Sequence, residues 1–205
     1  MIPNKDCSFL SVVAKYKGAD MLPYSDTCDY EDGPIYLQDA SQGLQYQVWR
    51  ARIVADTVYL TSPTTPETPI ITVRGIKSVS LAFDQNARHL LAYLLGDDVW
   101  LYWYDPAIQR YTHTLFETGV ISPRVTLDDK REMQRDYSEI ILAYVKDGNL
   151  YYRGQRDRYQ IPYLLQAGVA GRLMRVGMNS KYRLQFIFQA QPYDTYSCTL
   201  EVNCL

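Results

Sequence analysis

Histidine is nearly missing from this sequence, with two copies in 205 residues. That scarcity removes the commonest general base and the commonest metal ligand from most of the chain. Four cysteines stand at 7, 28, 198 and 204, and no pair has Cys-x-x-Cys spacing, so a zinc site is not expected. Cys7 with Cys28 and Cys198 with Cys204 could form terminal clips in an oxidising medium, whereas free thiols are expected for a cytosolic product. No apolar run reaches the ~18 residues of a membrane-spanning helix, so no membrane insertion is expected. The opening Met1-Ile2-Pro3-Asn4-Lys5-Asp6 lacks a basic n-region followed by an apolar h-region, and no signal peptide is expected. A basic excess is also missing: the formal net charge is −2 and the pI about 5.7, which argues against nucleic-acid binding. There is no Walker motif, Gly-x-Gly-x-x-Gly, His-Glu-x-x-His or Gly-x-Ser-x-Gly elbow. The resulting expectation is a protein with no cofactor that is not an enzyme.

What the chain does hold is apolar and aromatic. Hydrophobic residues make up 47%, too many for a disordered chain. Tyrosine is the outlier, with 19 copies against 5 Phe and 3 Trp. Tyrosine favours strands, and it buries a ring while keeping a polar tip, which suits both sheets and partly wet interfaces.

Positions 1–44 read as an irregular segment that packs on the rest of the chain or on a partner, and 45–205 as a β-repeat domain. Within the first part, Asp26 to Pro34 is acidic and turn-rich. Its Asp29-Tyr30-Glu31-Asp32-Gly33 core resembles a cation loop but lacks the late Glu, with Gln38 and Asp39 in that region instead, so a solvated turn is the reading. From Tyr46 to Thr61 two strands joined by a tight turn are predicted. The stretch Ser62 to Pro69 holds three prolines and reads as an exposed loop or rim connection. Leu164 to Leu173 could make a short helix, against which its two glycines count. The charged insertion Asp129 to Asp136 reads as a solvated loop or one helical turn.

Two stretches repeat one another. Leu90-Leu91-Ala92-Tyr93 leads through Gly96-Asp97-Asp98 into Val99 to Asp105, and Ile141-Leu142-Ala143-Tyr144 leads through Asp147-Gly148 into Asn149 to Arg153. Asp-Gly is a strong hairpin signal because a type I′ turn needs positive φ at both central residues. Upstream, Leu81-Ala82-Phe83-Asp84 and Val125-Thr126-Leu127-Asp128 are both apolar strands ending on an aspartate. The paired tyrosines lie 51 residues apart, from position 93 to position 144. Fainter copies are expected to end at Asp56 to Thr61 and at Lys181 to Phe188. This is the pattern of an all-β protein of antiparallel repeats, propeller-like blades or a β-sandwich, with few or short helices. Four units are few for a self-closed ring, so completion by neighbouring subunits is expected.

Candidate chemistry is thin. His89 stands beside Arg88 at a strand start, and His113 alternates with threonines; neither has a sequence context for catalysis. Asp97/Asp98 and Asp128/Asp129 are paired carboxylates, but adjacent strand residues point to opposite faces, and turn roles are expected. The candidate interface or glycan contacts are Trp100, Trp103, Tyr151, Tyr152, Arg153, Arg156, Arg158 and Tyr159. Aromatic faces stack on sugars, and arginines beside tyrosines grip carboxylates, phosphates or sugars, although surface ion pairs with Asp157 are the plainer role.

Several stretches together resemble tailed-bacteriophage virion proteins over residues 20–165. They are Leu22 to Asp26, Ser78 to Gln85, Trp100 to Asp105, Ser122 to Arg131, Ile140 to Tyr144, and Asn149 to Tyr159. The resemblance implies a structural tail component (nozzle, tail tip or tail-attached), made in the host cytoplasm and placed in the virion. It implies a symmetric homo-oligomer contacting neighbouring tail proteins, with a host surface glycan as a further partner. The alternative role is a carbohydrate-binding or glycan-cleaving module. The chain is also similar to sialidase-type propellers but lacks their Ser-x-Asp-x-Gly-x-Thr-Trp turn.

Overall fold

The structure is a computed structural model that describes residues 9–17, 31–33, 47–62, 65–84, 86, 88–128, 139–169, 171–178, 184–189 and 196–202. All regular elements among the described residues are strands, in the order β1 (Phe9–Lys17), β2 (Glu31–Gly33), β3 (Gln47–Val54), β4 (Thr57–Ser62), β5 (Thr65–Thr72), β6 (Ile76–Phe83), β7 (His89–Leu95) and β8 (Asp98–Asp105). There follow β9 (Arg110–Glu117), β10 (Ile121–Leu127), β11 (Ile140–Lys146), β12 (Asn149–Gly154), β13 (Tyr163–Gln166), β14 (Arg172–Met178), β15 (Leu184–Gln189) and β16 (Tyr196–Val202). No helix among the described residues is long and apolar enough to cross a membrane.

The strands make four antiparallel sheets of four strands each. Three are consecutive meanders, β2-β3-β4-β5, β6-β7-β8-β9 and β10-β11-β12-β13. The fourth has the order β1-β16-β15-β14, so the chain's own N-terminal strand completes the last sheet. Successive sheets touch along their first strands, β2 with β6, β6 with β10 and β10 with β14. Sheets joined in series through first strands are the propeller-like alternative of the expected all-β repeat. The segment read as irregular thus contributes β1 and the short β2. Cys7, Cys28 and Cys204 lie outside the described residues, as do Asp29 of the acidic stretch and the insertion 129–136.

Alternation fixes which side chains are buried. On β8 the burial pattern switches strictly with each residue, and Val99, Leu101, Trp103 and Asp105 are the buried members. Three apolar cores result among the described residues. Val58, Leu60, Leu81 and Leu91 fill the space between the first and second sheets. Leu101, Val125, Leu142 and Tyr144 fill that between the second and third. Ile141, Leu150, Leu173 and Phe186 fill that between the third and fourth. The second and third sheets bury apolar side chains on both faces, so neither is stable without its neighbours.

The hairpin signals behave as their chemistry demands. Asp147 (φ 50) and Gly148 (φ 69) both take the left-handed conformation of a type I′ turn. Ala55 (φ 47) and Asp56 (φ 67) make the same turn between β3 and β4 without a glycine. Between β7 and β8 only Gly96 (φ 63) is positive, the pattern of type II′. A Cβ at Gly148 would meet nothing closer than a carbonyl at 3.9 Å, so only backbone strain opposes a side chain there. Gly148→Ala is expected to cost about 1 kcal/mol, readable as a small drop in the urea midpoint; an unchanged midpoint would refute the strain argument.

Three expectations need correction. Ser62 to Pro69 is not only a loop: Pro66 and Pro69 sit within β5. β5 is the outer strand of its sheet, mostly exposed, and its pairing with β4 shifts register twice, which is where a residue without an N–H is tolerated. Leu164 to Leu173 is no helix; β13 ends at Gln166 and β14 starts at Arg172, with Gly168 (φ 68) and Gly171 (φ 125) turning the chain between them. The fourth copy is shifted by one strand: its segment is β15, the second strand of its sheet, and the third is β16.

Candidate functional site

The second and third sheets present matching loop ends. Asp84, at the end of β6, accepts N–H bonds from Asn86 at 2.8 Å and Arg88 at 2.9 Å, and its own N–H reaches the Arg88 carbonyl at 3.0 Å. Asp128 repeats this after β10, accepting from Glu139 N–H at 2.8 Å and donating to the Glu139 carbonyl at 2.9 Å. The repeated aspartate is therefore a loop clamp.

Between these loops lies a small cleft of about 10 Å3, room for about one water molecule. Asp84, Arg88, His89 and Gln155 give it polar groups, and the Trp103 and Tyr104 rings give it aromatic walls. The Arg88 guanidinium lies 3.9 Å above the Tyr104 ring. His89 stacks on Tyr111 at 4.5 Å, and its Nδ1 is 3.2 Å from the Tyr111 hydroxyl. Its Nε2 is buried without a hydrogen-bond partner. Burial lowers His89 to about 4, so the ring is neutral at pH 7.

Beneath the cleft runs an aromatic layer. Tyr159 is fully buried and meets Trp103 edge-on at 5.4 Å and Phe116 at 5.6 Å. Burial, with the carboxylates of Glu139, Asp84 and Asp157, pushes its hydroxyl well above the usual phenol range, and that hydroxyl has no hydrogen-bond partner. Glu139 is raised by burial as well, although its carboxylate accepts the Arg156 N–H at 2.7 Å. Gly154 allows that approach, since a Cβ there would sit 2.9 Å from the Glu139 carboxylate.

The eight residues singled out from sequence do not form one surface. Trp100 and Trp103 are three apart on β8 and face opposite ways: Trp100 packs toward the first sheet and Trp103 toward the third. Tyr151 and Tyr152 divide likewise between two cores. Both splits follow from the two-residue period of a strand, which was available in the sequence. Arg153 is turned inward. It donates to Glu117 Oε2 at 2.7 Å, to the Tyr144 hydroxyl at 3.0 Å, and to the carbonyls of Tyr159 and Gln160 at 2.8 Å each. Lys146 completes the network on Glu117 Oε1 at 2.6 Å. Arg158 pairs with Asp105. Arg156 and Tyr159 belong to the loop beside the cleft, and Tyr159 is part of its buried support. Asp97 and Asp98 lie at the β7–β8 turn.

What sequence reading missed is how the histidines sit together. Cross-strand pairing puts Tyr102 opposite His113 and Tyr104 opposite Tyr111. His89, Tyr111, Tyr102 and His113 then stack in a row, with the Tyr93 hydroxyl 2.7 Å from His113 Nδ1. Positions 89 and 113 are joined only by folding, so no local motif could signal them.

Fold and site together define an all-β protein of serial four-stranded sheets with a mixed polar and aromatic cleft at one loop end. No family model matches the chain, and no curated protein matches it in sequence. Among solved structures it is similar to a luciferin-regenerating enzyme, with a TM-score of 0.53 and 12% identity over 86% of this chain. The match spans 61% of that enzyme's length. A second structure, a protein of unknown function from Bacteroides caccae, gives a TM-score of 0.42 and 10% identity over 70% of this chain and 49% of that one. Neither is described as a virion component. The first match overturns the expectation that the chain is not an enzyme: a protein of this fold is named for a catalytic role. The reason is physical, because side chains on loops at strand ends can form a site without any contiguous motif.

Proposed function

We propose that the chain is a structural component of a bacteriophage tail that assembles into a symmetric homo-oligomer and contacts neighbouring tail proteins. The supporting observation is where apolar side chains remain exposed. Of the six large hydrophobic residues exposed among the described residues, four belong to the outer half of two adjacent sheets. Ile108 is in the β8–β9 turn, Leu115 on β9, Ile161 just before β13, and Leu164 on β13. β9 and β13 are also the outermost strands of their sheets, with one edge each outside the ladder. Apolar residues beside open edges are liabilities that a neighbouring subunit relieves. The resemblance of residues 20–165 to virion proteins supplies the biological setting.

Light scattering of the purified chain tests the assembly. An oligomer is expected, and Leu115→Glu with Leu164→Glu should convert it to monomer without lowering the melting temperature. A monomer at every concentration, or an oligomer that ignores both substitutions, would sink the proposal.

A further inference from the structure

Among the described residues, the outermost strands of the four sheets are β5, β9, β13 and β1. An outermost strand offers unpaired N–H and C=O groups to any extended segment, and folded chains protect it with proline, lysine or brevity. β5 carries Pro66 and Pro69. β13 has only 4 residues. The sequence of β1 contains Lys15 and Lys17. β9 has none of these devices. It runs for 8 residues, Arg110-Tyr111-Thr112-His113-Thr114-Leu115-Phe116-Glu117, and keeps its charges at its two ends. Midway along it, His113 and Leu115 are exposed.

The ladder shows which backbone groups of β9 point outward. Leu95 and Asp98 flank the two-residue turn at Gly96 and Asp97, so they exchange hydrogen bonds, and bonded pairs alternate from there along the strands. Even-numbered residues of β8 therefore bond to β7 and odd-numbered ones to β9. Opposite Leu101, Trp103 and Asp105 stand Thr114, Thr112 and Arg110, whose backbone groups are turned to β8. Those of Tyr111, His113 and Leu115 face away from the sheet.

A second copy of β9 matches that edge. Laid antiparallel about a two-fold axis at His113, it sets His113 opposite the partner's His113 and Tyr111 opposite the partner's Leu115, so every outward residue is paired. A shift by one residue sets outward groups against inward ones, and a shift by two leaves one outward residue without a match. The side chains agree with this register. Tyr111 meets the exposed partner's Leu115 on one face, and Thr112 meets the partner's Thr114 on the other, each twice by symmetry. Aromatic–apolar and threonine–threonine pairs of this kind stabilise neighbouring strands. We infer that β9 is a dimerisation strand that pairs antiparallel with β9 of a second copy, joining the two second sheets into one. The inference rests on the homo-oligomer proposed above and names its contact.

Charge on the axis tests the pairing. His113→Lys and His113→Asp each set like charges face to face at an exposed position. Each should weaken association in light scattering by about tenfold or more while circular dichroism shows the chain still folded. Mixing the two variants should restore association through opposite charges. In the full chain, oxidised His113→Cys should give a 113–113 disulfide in peptide mass spectrometry, because bonded antiparallel pairs hold their Cα atoms about 5.5 Å apart. A native oligomer that ignores both charges, gains nothing from mixing or yields no 113–113 peptide would overturn the inference and leave the homo-oligomer standing. A native chain that is monomeric at every concentration would end both.

Discussion

Replacing Arg153 by methionine should destabilise the protein by about 3–5 kcal/mol, the scale for removing one partner of a buried ion pair. The side chain is 9% exposed and gives hydrogen bonds to four acceptors. Two of these are carbonyls of the β12–β13 loop, at Tyr159 and Gln160, where Arg158 (φ 56) and Tyr159 (φ 60) already hold strained backbone. Methionine fills a similar volume, so the loss reads out unmet hydrogen bonds more than a cavity. Arg153→Lys should recover little, because an ammonium cannot reach a carboxylate, a phenol and two carbonyls from one planar fork. Glu117→Gln should cost less than Arg153→Met, since Arg153 then keeps its bonds to the Tyr144 hydroxyl and to the Tyr159 and Gln160 carbonyls. Urea denaturation checks the order, and a loss below about 1 kcal/mol for Arg153→Met would remove the network from the account of stability.

The second large effect is acid sensitivity from His89. Its folded pKa, about 4, lies below the ordinary 6.5 because of burial, so the unfolded chain takes up the proton first. Stability is therefore full above about pH 6.5 and falls as the pH drops through the window down to 4, by up to about 3 kcal/mol in all. His113 is lowered by burial too and adds in the same direction. Glu139 and Asp157, both raised by burial, act oppositely below neutrality and soften the lower part of the slope. Further down, Glu117 takes over: burial would raise it, but hydrogen bonds from Lys146 and Arg153 outweigh that and hold it at about 2. Its contribution is lost between about pH 4.5 and 2. Melting temperature against pH should show the upper limb in the native chain and a flatter one in His89→Phe. Equal limbs would mean that His89 takes its proton as easily folded as unfolded.

The sequence spoke clearly where the physics is local. Asp147-Gly148 announces its turn because few residue pairs accept two positive φ values, and the 51-residue spacing shows in the pairing of β7 with β8 and of β11 with β12. It was quieter where the outcome depends on the place of a strand in its sheet. Pro66 and Pro69 argue against a strand unless the strand is known to be an edge. Arg153, read as a surface charge, turns inward because Tyr151 and Arg153 share a face of β12 and that face meets β9 of the next sheet through Glu117. The cleft was the least legible feature, since Asp84, Tyr104 and Gln155 come from three loop ends that only the stacking of two sheets brings together.

The pairing of β1 with β16 also orders events in time. Phe9 faces Val202, 193 residues later. The three meander sheets need only neighbours in sequence, and each can form as its strands emerge. The fourth must wait for nearly the whole chain, and closing so long a loop costs more chain entropy than any local hairpin. The earliest of these sixteen strands is thus the one seated last, and until then the outer edge of β16 is open to any extended segment nearby.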